Sequence, residues 1–415
     1  MSSSFLNSRG TQVPAFGCAV SLLSALYGQS VPAADTYLTP GLEVGAEYHT
    51  NLQLQRESPS DEDESGDGYF AELWAIAGVR SPRAFVELKP RVRFQEFPDH
   101  DEMERSNEYA DLRIGYETLR SSLTLVGNYQ REDQVRAEVA DAQFDDFDPD
   151  DPIVDQSGRV DSLSGHRTRI QFRPDYEYQF SQRVGVGATA VYQTVDYDIS
   201  DASRQDYDYW RADGFFTWAL SPRTRLRTGA YATEFETDDG FNLTQSVGGS
   251  LGIEHQWSET FTATASVDVE QADVERADLA EKESSTDTGF SVGLQRRDLV
   301  SELRVDAGRS FNPTGNGVRS EVDQVRLQYD RNLTERLRFL GAGRAFRSRA
   351  QGGATNGSDR DYIRTDIGLG WNMTRTWSIE GRYSYIWEEF ENETGDRSDN
   401  MLILSVRYRA LQPQR

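Results

Sequence analysis

The sequence lacks most of what stabilises disulfide-rich or helical membrane proteins. Its only cysteine is Cys18, which excludes a disulfide within the chain. After residue 30 no apolar run approaches the roughly 18 residues that a membrane-spanning helix needs, and the mean hydropathy is −0.68. Hydrophobic residues make up 37% of the chain, below the roughly 45–50% of ordinary globular domains. These absences exclude a helical membrane protein and disfavour a set of soluble domains.

Aromatic and acidic residues are abundant instead. Aromatics reach 11% of the 415 residues, with 20 Phe, 19 Tyr and 7 Trp, which argues against an unfolded chain. The formal net charge is −25, which disfavours nucleic acid as the main partner because binding it requires a basic surface. A long, polar, acidic and aromatic-rich chain is typical of a transmembrane β-barrel, in which only every second strand residue must be apolar.

The N-terminal segment 1–33 has the pattern of a secretory signal peptide. Residues 13–26 are apolar but too few to span a membrane, and small residues follow up to Ala33. We predict cleavage after Ala33, which leaves 34–415 as a single barrel domain without a thiol. A buried amphipathic helix is the alternative interpretation of the same residues.

Apolar and polar residues alternate along the rest of the chain. Between Ala84 and Gln95 the even positions are apolar, and the odd positions are charged or polar except Phe85. The same period recurs near 169–180, 261–270, 377–387 and 402–409. A period of two indicates strands whose two faces meet different environments. These segments run about 10–15 residues, longer than ordinary soluble strands and long enough for a tilted membrane strand.

Short and long connections alternate between these segments. Two of the eight short connections contain Ser-Pro-Arg, at 81–83 and 221–223, and proline favours a turn there. Nine long polar loops account for the others, so that 18 strands are predicted, with an uncertainty of two (16–18). The predicted strands start near 41, 68, 84, 108, 121, 165, 184, 207, 224, 243, 261, 286, 299, 319, 334, 361, 376 and 400.

The architecture that fits these segments is an all-β, antiparallel up-and-down transmembrane barrel with short periplasmic turns and long extracellular loops. The expected location is the outer membrane of a Gram-negative cell. The expected partners there are outer-membrane lipid, lipopolysaccharide and the barrel-assembly machinery. A propeller with a repeat of about 40 residues is the alternative fold, but no blade motif recurs.

Most of the negative charge lies in the long loops. Loop 132–163 is rich in aspartate, and residues 61–64 are Asp-Glu-Asp-Glu. Either these acids solvate the loops, or they bridge divalent cations to an anionic lipid surface. The segment Asp146–Asp151 has alternate carboxylates but lacks the glycine and glutamate of a calcium-binding loop. We therefore predict no metal site.

The sequence contains no convincing catalytic motif. The four histidines are His49, His100, His166 and His255. None belongs to a His-Glu-x-x-His motif or accompanies a Gly-x-Ser-x-Gly nucleophile. His166 is close in sequence to Ser162 and Ser164, which keeps an outer-membrane lipid-modifying enzyme as an alternative. We predict no catalytic residue and no cofactor.

Arginine dominates the face predicted to point into the barrel. Only Lys89 and Lys282 are lysines among the 44 basic residues. The arginines predicted to line the lumen are Arg91, Arg93, Arg113, Arg169, Arg173, Arg225, Arg227, Arg304, Arg326, Arg364, Arg382, Arg407 and Arg409. They either brace the wall by ion pairs with neighbouring acids, or bind an anionic solute with their guanidinium groups.

Several aromatic residues also fall on the predicted inward face. These are Phe70, Trp74, Phe85, Phe215 and Tyr231. They are candidates for stacking on sugar rings, or they belong to the aromatic girdle on the outside of the barrel.

The segment from Leu38 to Asn51 is an alternating strand that contains an early proline and ends in Tyr-x-x-Asn. Together with the Ser-Pro-Arg turns and the nearly exclusive use of arginine, it resembles the opening of the β-barrel porin 2 family. The resemblance covers 35–415. It implies an outer-membrane barrel that passes an exopolysaccharide or capsular polymer outward, working with a periplasmic polysaccharide-export protein.

The predicted function is therefore a passive outer-membrane conduit, with polysaccharide export as the first hypothesis. A general or anion-preferring diffusion porin is the second, and a lipid-modifying enzyme is the third. A pore that is mostly closed favours the gated exporter, and a steadily open pore favours diffusion.

Overall fold

The computed structural model describes residues 34–52, 54, 65–98, 105–133, 165–198, 204–277, 282–315, 317–351, 359–391 and 395–411. The predicted signal peptide and most of loop 132–163 lie outside these residues. The described residues form one 18-stranded antiparallel sheet. Among them no helix is long and apolar enough to cross a membrane.

The strands follow one another in chain order around the sheet. Their bounds are β1 (Asp35–His49), β2 (Gly66–Arg80), β3 (Ala84–Glu96), β4 (Arg105–Glu117), β5 (Ser121–Asp133), β6 (His166–Gln179), β7 (Val184–Tyr197), β8 (Tyr207–Ser221), β9 (Thr224–Thr237), β10 (Asn242–Ser258), β11 (Phe261–Arg276), β12 (Glu283–Arg297), β13 (Ser301–Pro313), β14 (Arg319–Asn332), β15 (Leu337–Ala350), β16 (Arg360–Asn372), β17 (Trp377–Phe390) and β18 (Asp396–Arg409).

The sheet closes on itself because β1 pairs with both β2 and β18. The β1–β18 ladder runs from Gly41 opposite Arg409 to His49 opposite Met401. The β1–β2 ladder extends further down, to Asp35 opposite Arg80. Closure removes the free sheet edges, which lipid could not hydrogen-bond. The predicted up-and-down barrel of 18 strands is confirmed.

The two ends of the barrel differ in the length of their connections. The short connections, at the end we call the turn end, are residues 81–83, 118–120, 180–183, 222–223, 259–260, 298–300, 333–336 and 373–376. The opposite end, which we call the loop end, carries the longer ones. Local hydrogen bonds form the turns: the hydroxyl of Thr334 accepts from the backbone N–H groups of Arg336 and Leu337. These bonds explain why β15 begins at Leu337 and not near 334 as predicted.

Among the strands that start earlier than predicted, β1 and β18 differ most, because their outer residues still find a partner strand. β1 begins at Asp35 and not near 41, since its first residues pair with β2 alone. β18 begins at Asp396 and not near 400, because Asp396 already pairs with Glu389 of β17. Pro40 inside β1 lacks an N–H, but its carbonyl oxygen accepts from the N–H of Ala410 at 3.0 Å.

The outward face of the barrel is apolar. On β18, Leu402 and Leu404 are 57% and 60% exposed, whereas Ile403 between them points inward and is buried. Tryptophans on the outward face cluster near the turn end, namely Trp218, Trp257, Trp371 and Trp377. An apolar band with an aromatic girdle is the surface of a barrel that lies in lipid. The chain is therefore an integral outer-membrane β-barrel.

The first prediction concerns orientation. Cysteines introduced at Asp239 and Glu259 lie beyond the two ends of β10, on the loop side and the turn side respectively. In intact cells a membrane-impermeant maleimide is expected to label Asp239→Cys and to leave Glu259→Cys unlabelled, because short turns face the periplasm. Equal labelling of both variants in intact cells would contradict this orientation. Labelling both after outer-membrane permeabilisation is the control for reactivity.

The second prediction tests the lipid-facing surface. Leu404 lies in the middle of β18 on the outward face, so Leu404→Arg is expected to destabilise the folded barrel by about 2–4 kcal/mol. Val300→Arg, in a turn outside the apolar band, is expected to cost roughly 0–1 kcal/mol. The measurement is reversible unfolding by guanidinium in lipid vesicles. Similar losses for both variants would refute the assignment of this face.

Candidate functional site: the barrel lumen

The inward face carries the predicted lumen arginines. Strand register places all thirteen on the face opposite the exposed apolar side chains: Arg91, Arg93, Arg113, Arg169, Arg173, Arg225, Arg227, Arg304, Arg326, Arg364, Arg382, Arg407 and Arg409. The period-two pattern was sufficient for this placement. Whether these side chains act on a solute stays a prediction.

Several of these arginines form ion pairs within the wall. Arg407 of β18 pairs with Glu43 of β1 at 2.6 Å, which ties the two strands that close the barrel. Arg93 pairs with Glu47 at 3.2 Å, where both side chains are buried. Arg364 pairs with Asp366 on its own strand at 3.1 Å. Bracing by ion pairs therefore accounts for part of the arginine content, as the first of the two interpretations predicts.

Other arginines lie on aromatic rings. The guanidinium carbon of Arg227 is 3.6 Å from the ring centre of Phe215, and that of Arg93 is 3.9 Å from the ring centre of Phe70. Arg211 lies over Tyr231 at 3.9 Å in the same way. Such cation–π contacts cover one face of each ring.

The opposite face of each ring lies against a glycine on the neighbouring strand. A methyl group at Gly45 would be 2.6 Å from the Phe70 ring, and one at Gly248 would be 2.5 Å from the Tyr231 ring, so any larger residue would collide. The same arrangement joins each of the pairs Trp74 and Gly41, Phe85 and Gly115, and Phe215 and Gly187. These glycines lie directly opposite their rings in the register. The five aromatic residues are thus inward wall residues and not girdle residues.

The hairpin between β13 and β14 bends into the lumen at the loop end. The β12–β13 ladder starts only at Phe290 opposite Arg309, so residues 310–313 pair with β14 alone. Residues 312–315 and 317–320, which we call the inward hairpin, extend from there. Thr314, Val318 and Ser320 within it are buried.

The inward hairpin contacts the wall at β8–β10, well away from its own strands. The N–H of Gln205, just before β8, donates to the carbonyl oxygen of Gly315 at 2.7 Å. The side-chain amide of Asn242 donates to the carbonyl oxygen of Gly317, also at 2.7 Å. Gly317 has φ +72°, in the left-handed region that favours glycine. The hairpin therefore narrows the lumen between β13–β14 and β8–β10.

A buried ion pair fastens the inward hairpin. Arg319 forms ion pairs with Glu270 of β11 and, at 3.3 Å, with Asp287 of β12. Its side chain is 7% exposed and that of Glu270 is 4% exposed, so water screens this pair little. The Phe311 ring lies 4.8 Å from the Arg319 guanidinium. The sequence predicts only a long extracellular loop before the strand start near 319, and it carries no signal of this contact.

A second segment also points inward at the loop end. Leu54, after β1, belongs to a buried apolar cluster with Val322, Phe346, Tyr362 and Ile386 from β14–β17. The carboxylate of Asp399 on β18 accepts from the backbone N–H groups of residues 50 and 51. Two separate segments therefore enter the lumen at the loop end.

The predictions about a catalytic histidine and an acidic metal-binding loop are largely untested, because most of the residues concerned lie outside the described part of the chain. His166 lies 3.5 Å from a carboxylate oxygen of Asp198, and its neighbours Ser162 and Ser164 fall outside the described residues, as does Asp146–Asp151. Carboxylates of Asp196, Asp206 and Asp238 gather at the loop end, a cluster that sequence analysis missed. Partial burial, and then the neighbouring carboxylates, raise the pKa of Asp238.

The known proteins that resemble this chain are solved structures of low sequence identity. No protein-family model and no curated protein sequence matches the chain. Among solved structures, OccK2 of Pseudomonas aeruginosa is similar at 12% identity and a TM-score of 0.44, over 91% of this chain and 99% of that one. The ferric preacinetobactin receptor BauA of Acinetobacter baumannii is similar at 9% identity and a TM-score of 0.47, over 91% and 80%.

The third prediction concerns the inward hairpin. Arg319→Ala removes the cation beside the buried carboxylate of Glu270 and the partly buried carboxylate of Asp287, at a cost of about 3 kcal/mol, which lowers the docked-to-undocked ratio of the inward hairpin roughly a hundredfold. The expected result is a higher single-channel conductance in planar bilayers. Arg309→Ala is the matched control, because Arg309 lies on β13 just before the inward hairpin, on the outward face, and pairs with Asp323. Unchanged conductance in Arg319→Ala would show that the hairpin does not limit the pore.

Proposed function

We propose that the chain is a passive outer-membrane conduit that exports an anionic polysaccharide and carries out no covalent chemistry. The observation that carries the proposal is the asymmetry of the lumen, which two segments of the chain enter at the loop end. A barrel of about 18 strands encloses an aqueous space unless loops occupy it. Such a barrel is accessible from the periplasm and restricted on the outside.

The burial of inward side chains along β6 supports this asymmetry. Arg167, Arg169 and Gln171, towards the loop end, are buried. Arg173 and Asp175, further towards the turn end, are partly exposed. A solute that enters from the turn end therefore meets solvated charges first and a packed region later. This order suits a gated exporter better than a steadily open pore.

The wall charges support an anionic solute. Arg225 and Arg227 lie on the inward face near the turn end, and neither forms an ion pair with a described carboxylate. Guanidinium groups bind carboxylate and sulfate groups through paired hydrogen bonds. The same two arginines favour the second candidate function, an anion-preferring diffusion porin. The two candidates differ in whether the pore stays open.

The partners follow from the proposed location and the family resemblance. At the turn end the exposed arginines Arg83, Arg120, Arg183 and Arg223 face the periplasm. They offer a basic surface to a periplasmic polysaccharide-export protein with complementary acidic groups. Lipid and lipopolysaccharide surround the apolar band, and the barrel-assembly machinery inserts the chain.

The fourth prediction tests export directly. Deletion of the gene is expected to abolish extracellular polysaccharide and to raise the periplasmic pool of the same polymer, because only the last transfer step is lost. The measurement is uronic-acid and total-sugar content of the two fractions. The wild-type gene on a plasmid is the positive control. Unchanged secretion, combined with a steadily open pore in planar bilayers, would favour the diffusion porin instead.

A further inference from the structure

Each inward aromatic ring packs with one face against a glycine of the neighbouring strand. The rings differ in whether an arginine lies close to the other face. Phe70, Phe215 and Tyr231 are 4%, 7% and 5% exposed, because an arginine lies on the face that points away from the glycine. Trp74 and Phe85 lie on glycines in the same way but remain partly exposed. We call a ring capped when an arginine lies on the face away from the glycine, as for Phe70, Phe215 and Tyr231. We call Trp74 and Phe85 uncapped.

Tyr37 is a third uncapped ring. It lies on Gly78, opposite it in the register, and its hydroxyl group donates a hydrogen bond to Glu87. Tyr37 is four residues from Gly41, the glycine under Trp74, which corresponds to about 13 Å along β1. Both rings therefore lie along the same seam between β1 and β2, and Phe85 lies near the turn end of β3.

The exposed part of each uncapped ring must be the part that faces the lumen. One face of the ring is in contact with the glycine backbone and is closed to solvent. What stays exposed is the opposite face and the edge. Rings that lie flat on a wall and point one face into water are rigid, so a ligand that stacks on them loses little additional conformational entropy.

An arginine lies over each of two of these rings, but farther from the ring than a capping arginine. The Arg409 guanidinium is 5.9 Å from the ring centre of Trp74, and that of Arg80 is 5.8 Å from the ring centre of Phe85. The capping arginines lie at 3.6–3.9 Å. Arg409 and Arg80 are exposed, and neither forms an ion pair with a described carboxylate. Each ring of this pair therefore has an exposed guanidinium group nearby, which leaves more room over the ring than a capping arginine does.

We propose that Tyr37, Trp74 and Phe85 form a binding site for an acidic saccharide at the turn end of the lumen. The C–H groups on one face of a pyranose ring match the negative face of an aromatic ring. A carboxylate substituent on that sugar then pairs with Arg409 or Arg80. This site rests on the proposed export function, and it would be the first place where the exported polymer contacts the barrel.

The test measures binding apart from transport. The mature full-length barrel in detergent micelles is titrated with hexagalacturonate by isothermal calorimetry, and maltohexaose is the neutral comparison. Trp74→Ala is expected to weaken hexagalacturonate binding about tenfold, the scale of one lost stacking contact. Phe215→Ala is the matched control, because it removes a ring on a glycine whose other face Arg227 already covers. Equal effects of the two substitutions, or none, would overturn the proposal.

A second variant keeps the test informative if Trp74→Ala does not assemble. Arg409→Gln changes an exposed side chain and leaves the ring in place. It is expected to weaken hexagalacturonate binding severalfold and to leave maltohexaose binding unchanged. Equal losses for the acidic and neutral probes, or no loss for either, would overturn the pairing of the carboxylate with Arg409.

The failure of this site and the failure of the conduit give different results. If the barrel binds hexagalacturonate through Trp74 but passes no current, even in the Arg319→Ala variant, the saccharide site is supported and the proposed conduit function is contradicted. If the barrel conducts but binds hexagalacturonate equally well with and without the Trp74 ring, the conduit function is supported and the proposed saccharide site is contradicted.

Discussion

Closure of the hydrogen-bonded ladder is the constraint on which the other features depend. A strand in lipid must pair its backbone groups with other strands, since no water is present to accept or donate. Here β1 meets β18 over Gly41–His49, and the ion pair between Glu43 and Arg407 joins the same two strands inside. Once the ladder is closed, every strand has one face in lipid and one in the lumen. The apolar outer band and the charged inner wall both follow from that division.

The inner wall shows how a barrel can hold large aromatic residues without filling its lumen. Each ring lies flat because the opposite residue is glycine, which leaves space for it. An arginine then lies close against the free face in some places, as at Phe215, and farther from it in others, as at Trp74. Arginine has two functions in the wall, since some guanidinium groups pair with carboxylates and others lie on rings.

Most of the fold could be predicted because its signals are local. Alternation assigned each residue to a face, and turns such as Ser81–Arg83 separated the strands, so the count and most starting positions agree with the structure. The inward hairpin could not be predicted, since its contacts join Gln205 and Asn242 to residues far along the chain. The ring-on-glycine pairs were missed for a related reason. A glycine and an aromatic residue are informative only after the register places them opposite each other.

The separation of β12 from β13 also indicates how deeply the barrel sits in the membrane. Above Phe290 and Arg309 the two strands no longer pair, and their facing backbone groups lose the partners that a closed sheet supplies. Hydrocarbon cannot satisfy such groups, so this level must lie in the hydrated headgroup region or above it. The outward ion pair of Arg309 with Asp323 is at the same height, where charged side chains meet water and polar lipid. The hydrocarbon layer therefore ends at or below the level of the split on this side of the barrel.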